Sequence, residues 1–221
     1  MKNKGISILF SVALFFFILT FSIGLPIYCR PFYYVHIDAM GLEEISGFTH
    51  EEIVEAYDEV LDYLTLPWCE FGTGVMAYSE EGKAHFADCK VLFDLNATVL
   101  LLSSVTLAVI LILKTCGKVG KLRLGNHSAG FWSALCAIVL PLVLGGLAAL
   151  DFDRAFTVFH AIFFPGKDNW IFDWRTDQII RVLPQDFFMH CAILIACGVL
   201  VLSASILIYE AITTYKKRTE G

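Results

Sequence analysis

Imidazole is the side chain that changes charge near neutral pH, and the chain carries six histidines. Two of them, His85 and His160, lie where a polar segment meets the edge of a long apolar run. Aromatic residues flank both: Phe86 beside the first, Phe156 and Phe164 beside the second. A pair of imidazoles at one membrane face can serve as acid and base in a single reaction. On a helix, His85 and Asp88 are three residues apart and adjacent. The carboxylate is therefore expected to fix the imidazole tautomer and raise its basicity. The alternative for each histidine is a satisfied interfacial residue, and spacing alone leaves both readings open.

The other histidines carry less. His50 sits beside a helix cap among carboxylates and reads as solvated surface, while His36 and His190 read as satisfied interfacial residues. His127 falls on the opposite side of the membrane. No nucleophile motif is present: there is no GxSxG, and no cysteine has a histidine partner beyond the His85 and Cys89 spacing. A metal site from His85, Asp88, Cys89 and His160 is conceivable, but no HExxH or CxxC spacing supports it, so neither metal nor cofactor is expected. Asp94 and Asn96 stand just inside an apolar run, where a buried carboxylate is costly and often functional, although one near the outer end reaches water. The seven cysteines are odd in number and lack repeated spacing. They read as small packing residues rather than a disulfide framework, although an outer pair could form in an oxidising setting.

These residues must be positioned by a membrane scaffold. Hydrophobic residues make up 57% of the chain and mean hydropathy is +0.68, more than a soluble core of this size needs. Apolar stretches at 6–29, 91–113, 128–150 and 187–209 each reach the roughly 20 residues that cross a hydrocarbon core as helix. Nothing alternates like a barrel strand. The expected fold is a mainly α membrane protein, a bundle of four transmembrane helices with a small extracytoplasmic cap. Cations set its orientation, since short cytoplasmic segments retain Lys and Arg. Lys2 and Lys4 precede the first span, Lys114, Lys118, Lys121 and Arg123 fill the 114–127 loop, and Lys216, Lys217 and Arg218 lie in the 210–221 tail. Both termini are thus expected in the cytoplasm, with 30–90 and 151–186 forming the cap. The first of these is acidic, which argues against nucleic acid as a partner. The first span reads as retained rather than cleaved. Its apolar run exceeds a signal h-region, and Pro26, Ile27 and Tyr28 before Cys29 lack the small side chains of a cleavage site.

Within the cap, Thr49 and Glu52 have capping-box spacing, and a helix is predicted from about His50 to Leu64. Its apolar residues Ile53, Ala56, Tyr57, Val60, Leu61 and Leu64 recur with helical period. Phe32 to Ile37 is aromatic and β-branched enough for a short strand or an extended surface segment. The glycines between Phe71 and Ala84 predict a loop or hairpin. Asp151 or Asp153 is expected to cap a short helix ending near Phe164, with Phe152, Phe156, Phe159, His160, Phe163 and Phe164 on one broad side. From Asp168 to Arg181, Trp170, Asp173, Trp174 and Asp177 mix rings with charges, as a headgroup-level surface does.

Four stretches together carry a resemblance: Glu81 to Lys90 around His85, Asp151 to Phe164 around His160, Trp170 to Asp173, and Leu183 to Phe188. In combination they resemble the bacterial lipoprotein intramolecular transacylases, over essentially the whole chain. The resemblance implies a bacterial cell-membrane enzyme with its active site on the extracytoplasmic side. Two histidines at the cap boundary are catalytic in that family, matching His85 and His160, and Phe86, Asp88, Phe156, Phe164, Trp170 and Asp173 are the expected substrate-binding or orienting residues. The implied reaction moves the sn-2 acyl chain of a diacylglyceryl-modified lipoprotein to the α-amino group of its N-terminal cysteine, giving the lyso-form. Diacylglyceryl-modified lipoproteins and membrane lipid are the implied partners. Cys89 departs from the family pattern, where a valine-like residue is common, and no effect on catalysis is expected.

An intramolecular transfer needs no acyl-enzyme, which agrees with the missing nucleophile. One histidine would accept the α-ammonium proton while the other stabilises the oxyanion or protonates the leaving oxygen. A non-catalytic four-span scaffold with a partner-binding cap is the rival reading. A small transporter is disfavoured because the third span carries no charge and no span is broken by Gly and Pro together; Pro141 alone allows only a kink.

Overall fold

The computed structural model describes residues 3–219, without the side chains of residues 147, 149 and 216–218. Lys2 and the side chains of Lys216, Lys217 and Arg218, used above for orientation, therefore lie outside the described residues. Among the described residues, four helices are long and apolar enough to cross a membrane: α1 (Lys4–Tyr28), α5 (Glu80–Thr115), α6 (Ala129–Leu150) and α8 (Gln185–Thr219). Between α1 and α5 lie α2 (Arg30–Ala39), α3 (Leu42–Ser46) and α4 (His50–Thr65), and α7 (Phe152–Phe163) follows α6. The chain forms two compact units, one of residues 1–25, 96–146 and 193–221, the other of 26–95 and 147–192.

The first unit is a helical bundle with a sparse core, of which Ile18, Ala137 and Val199 form one buried cluster and Ile110, Val119, Leu122 and Ala129 another. Large apolar side chains such as Leu101, Leu102, Val143 and Ile208 point outward. In water that surface would drive aggregation, whereas in hydrocarbon it is solvated. Polar side chains answer the same solvent by bonding internally. Thr20 and Ser22 donate to carbonyls one turn back at 2.7 Å, and Ser11 meets Ser133 at 3.0 Å. Buried Asn96 donates to the Thr20 carbonyl at 3.3 Å. Short strands β1 (Arg123–Leu124) and β2 (His127–Ser128) form a hairpin joined to α8 by Glu210, which accepts from the Ser128 amide at 2.9 Å. His127 stands 3.4 Å from the same carboxylate.

The second unit has a core built mainly on α2 and α4. Ile53, Ala56, Tyr57, Val60, Leu61 and Leu64 are buried along α4, as the helical period predicts, and Thr49 and Glu52 close the capping box. The segment expected as a strand or extended run is instead the helix α2. Pro31 suits its first turn, and Tyr33 and Ile37, four apart, are both fully buried on one face. Tyr33 stacks on Tyr57 at 3.8 Å, and Arg30 forms ion pairs with Asp58, at 2.8 Å, and with Asp62. Those long-range contacts override the strand propensity of aromatic and β-branched residues. Gly41, at φ 61°, supplies the left-handed turn between α2 and α3.

The 66–79 segment is a loop, and α5 begins at Glu80. Ser79 caps it by accepting from the Gly82 amide at 2.9 Å, and Asp177 holds Ser79 in turn, accepting from its amide at 2.8 Å. A Cβ at Gly82 would collide with the Asp177 carboxylate, so this close approach needs glycine. The two cap segments are thereby strapped together beside His85. Tyr33 adds a buried strap, donating to the Val182 carbonyl at 2.8 Å.

Candidate active site

Both imidazoles come from helices of the second unit. α5 carries His85, Phe86, Asp88 and Cys89 on successive turns, and α7 carries Phe156 and His160. Asp151 caps α7, accepting from the Arg154 amide at 2.9 Å. Asp153, the other expected cap, instead accepts from the Gln185 side chain at 2.5 Å.

The two rings meet with centroids 5.7 Å apart and planes 30° from parallel, and each residue is only 6% exposed. Trp170 stacks on His160 at 4.4 Å, Phe156 lies 4.3 Å from the same ring, and Phe164 packs edge-on against His85 at 5.0 Å. Phe86, at 6.1 Å from His85, completes the expected aromatic set. Phe172 also packs edge-on against His85, at 5.5 Å, although sequence reasoning did not single it out as a site residue. Phe159 and Phe163 of the expected aromatic side are about half exposed.

His160 places its Nδ1 2.8 Å from the Phe156 carbonyl. A carbonyl can only accept, so Nδ1 carries the proton and Nε2 carries the lone pair. Burial holds its pKa below the ordinary histidine value, partly offset by that backbone bond. His85 has its Nε2 3.4 Å from the Cys89 Sγ and its Nδ1 buried without a hydrogen-bond partner among the described residues.

Asp88 differs from expectation. Its carboxylate accepts from Lys167 Nζ at 2.5 Å and Asn169 Nδ2 at 3.2 Å, both on the loop after α7, and forms no hydrogen bond to His85 among the described residues. The charged lysine and the amide, brought close by the fold, outcompete the imidazole one turn away. Asp173 serves a turn, accepting from the Arg175 amide at 3.0 Å. The remaining histidines fall elsewhere. His36 and His190 have ring centroids 4.9 Å apart, and His50 faces Asp38 at 3.8 Å. Asp94 is exposed.

The family model described as lipoprotein intramolecular transacylase Lit matches residues 8–188. The chain belongs to that family. It is an acyltransferase and a bacterial membrane protein. The transacylase fold is seen directly in the membrane integral lipoprotein intramolecular transacylase Lit from Bacillus cereus. That structure is 25% identical, with a TM-score of 0.86 over 99% of this chain and 98% of that one. A variant of the B. cereus protein with one histidine replaced by arginine matches at 24% identity and a TM-score of 0.79, covering 100% of this chain and 95% of that one. No curated protein sequence matches the chain. The expected four-helix membrane fold is thus the observed one.

Proposed function

We propose that this transacylase moves the sn-2 acyl chain of a diacylglyceryl-modified lipoprotein to the α-amino group of the same molecule's N-terminal cysteine, with His85 and His160 as its acid and base. The observation that carries the reading is two buried imidazoles 5.7 Å apart inside an aromatic enclosure. Attack of the amine closes a ring through N, Cα, Cβ, S, two glyceryl carbons, the ester oxygen and the acyl carbon. Such a ring is entropically awkward. Walls formed by Phe86, Phe156, Phe164 and Trp170 would hold the reactive conformer, and orientation of this kind is worth roughly 7 to 11 kcal/mol at best.

The protons explain the pairing. The substrate amine arrives as an ammonium and must lose two protons to become an amide. One imidazole takes the first, freeing the nitrogen lone pair. The other takes the second as the C–N bond forms. When the ester C–O bond breaks, one imidazolium returns its proton to the sn-2 oxygen, and the other proton leaves to water. Neutral resting imidazoles suit this sequence, and burial of His160 favours that state. No acyl-enzyme and no cofactor enters.

The cation distribution supports cytoplasmic termini and an outward-facing cap. Cys29 and Cys116, both exposed, report on it: in intact cells a membrane-impermeant thiol reagent should label Cys29 and spare Cys116. The catalytic reading is tested by mass spectrometry of N-terminal lipopeptides. Cells expressing the chain should relocate one acyl chain to the amine at unchanged total mass, and His85→Ala should not. Full lyso-form production by purified His85→Ala or His160→Ala removes that residue from the mechanism.

A further inference from the structure

We propose that Asn169 is the positioning residue of His85: its side-chain oxygen accepts the Nδ1–H of the imidazole and thereby holds the Nε2 lone pair toward the reacting group. This rests on the catalytic role proposed above for His85.

Two buried atoms lack a hydrogen-bond partner among the described residues, Nδ1 of His85 and Oδ1 of Asn169. Asn169 is held against α5 by its bond to Asp88, one helical turn from His85, and of the two atoms one can donate where the other accepts. The orientation of the amide is fixed from its far end. Asn169 Nδ2 donates to the Asp88 carboxylate at 3.2 Å, and a carboxylate only accepts, so the amide nitrogen faces Asp88 and the oxygen is left for the histidine. Lys167 holds the same carboxylate at 2.5 Å.

The other edge of the imidazole is compatible with the same tautomer. Cys89 Sγ stands 3.4 Å from Nε2. With the ring proton on Nδ1, the thiol can donate to the Nε2 lone pair. His160 reaches the same state with a backbone carbonyl in place of the amide. Asp88 thus acts on His85 at one remove, through Asn169.

The test uses the purified full-length protein in lipid–detergent micelles, a synthetic diacylglyceryl-cysteine peptide as substrate, and 15N-labelled histidine to report the tautomer of His85. Asn169→Ala should lower kcat about tenfold to a hundredfold, a part of the roughly 10²–10⁴ that acid–base catalysis supplies, with KM within about twofold. The His85 nitrogen signals should move from a pure Nδ1–H pattern to a mixture. Asn169→Asp keeps an accepting oxygen, so the tautomer should persist. Its carboxylate stabilises the imidazolium, so the acidic limb of the kcat profile should move to higher pH.

An unchanged kcat and an unchanged tautomer in Asn169→Ala overturn the assignment while leaving the reaction itself standing. If that variant does not fold, the aspartate variant decides, and an unmoved acidic limb refutes the proposal. A fully active His85→Ala instead overturns the catalytic reading, whatever position 169 does.

Discussion

The unit formed by 26–95 and 147–192 contains two imidazole pairs, His85 with His160 and His36 with His190, at ring separations of 5.7 and 4.9 Å. They share a local plan. One member of each bonds its Nδ1 to the carbonyl four residues back, Phe156 for His160 and Phe32 for His36, and the other has a buried Nδ1 without a partner among the described residues. Their surroundings differ. Both members of the first pair are buried among Phe164, Phe172 and Trp170, with the Asp88, Lys167 and Asn169 network behind. Both members of the second pair are only partly buried, and the rings that pack on His36 are Phe32 and Phe187. Proximity of two imidazoles is therefore common to both places, whereas burial of both rings within an aromatic enclosure belongs to one. Enclosure strengthens every electrostatic interaction within it, and it is the better mark of a reaction centre.

Breaking this comparison is simplest by truncating one member of each pair. His160→Ala should lower turnover at least about a hundredfold, the lower end of what a positioned acid or base supplies. His190→Ala should stay within about threefold of the parent under the same assay. Equal losses in the two variants would erase the distinction. Next in size is the wall. Trp170→Ala removes the ring stacked on His160, an interaction of about 0.5–1.5 kcal/mol, and kcat should fall roughly threefold to tenfold with the protein still folded by circular dichroism.

A pH profile sharpens the contrast by a smaller effect. A base must be neutral to work, so activity rises with pH through the pKa of the working imidazole. Burial lowers that of His160, so the acidic limb should lie below the ordinary value of about 6.5 and be flat above it. A limb above 6.5 would contradict the enclosure argument. The smallest change is expected at the thiol beside His85. Cys89→Val should keep kcat within about twofold; loss of all activity would instead nominate the thiol as a nucleophile.

Much of this arrangement is legible in the residues. Hydrocarbon thickness forces long apolar runs, so the four spanning helices stand out, and the Thr49 and Glu52 box marks the start of α4 because capping is a local interaction. His85 and His160 are visible by their place at apolar boundaries beside aromatics. What escaped is non-local. α2 owes its form to Tyr33, Ile37 and Arg30 packing on α4, contacts that its own composition does not record. A helical period sets Asp88 against its helical neighbour alone, while Lys167 and Asn169 lie 79 and 81 residues away. A lone asparagine in a loop carries no signal of what its oxygen meets.

The bond from Tyr33 to the Val182 carbonyl spans 149 residues and is fully buried at the tyrosine. It belongs to neither cap segment alone, so the seam between them is jointly owned. Because the acceptor is a backbone carbonyl that any residue supplies, a chimera keeps this bond when the second segment is exchanged and loses it when the first is exchanged for one without the tyrosine.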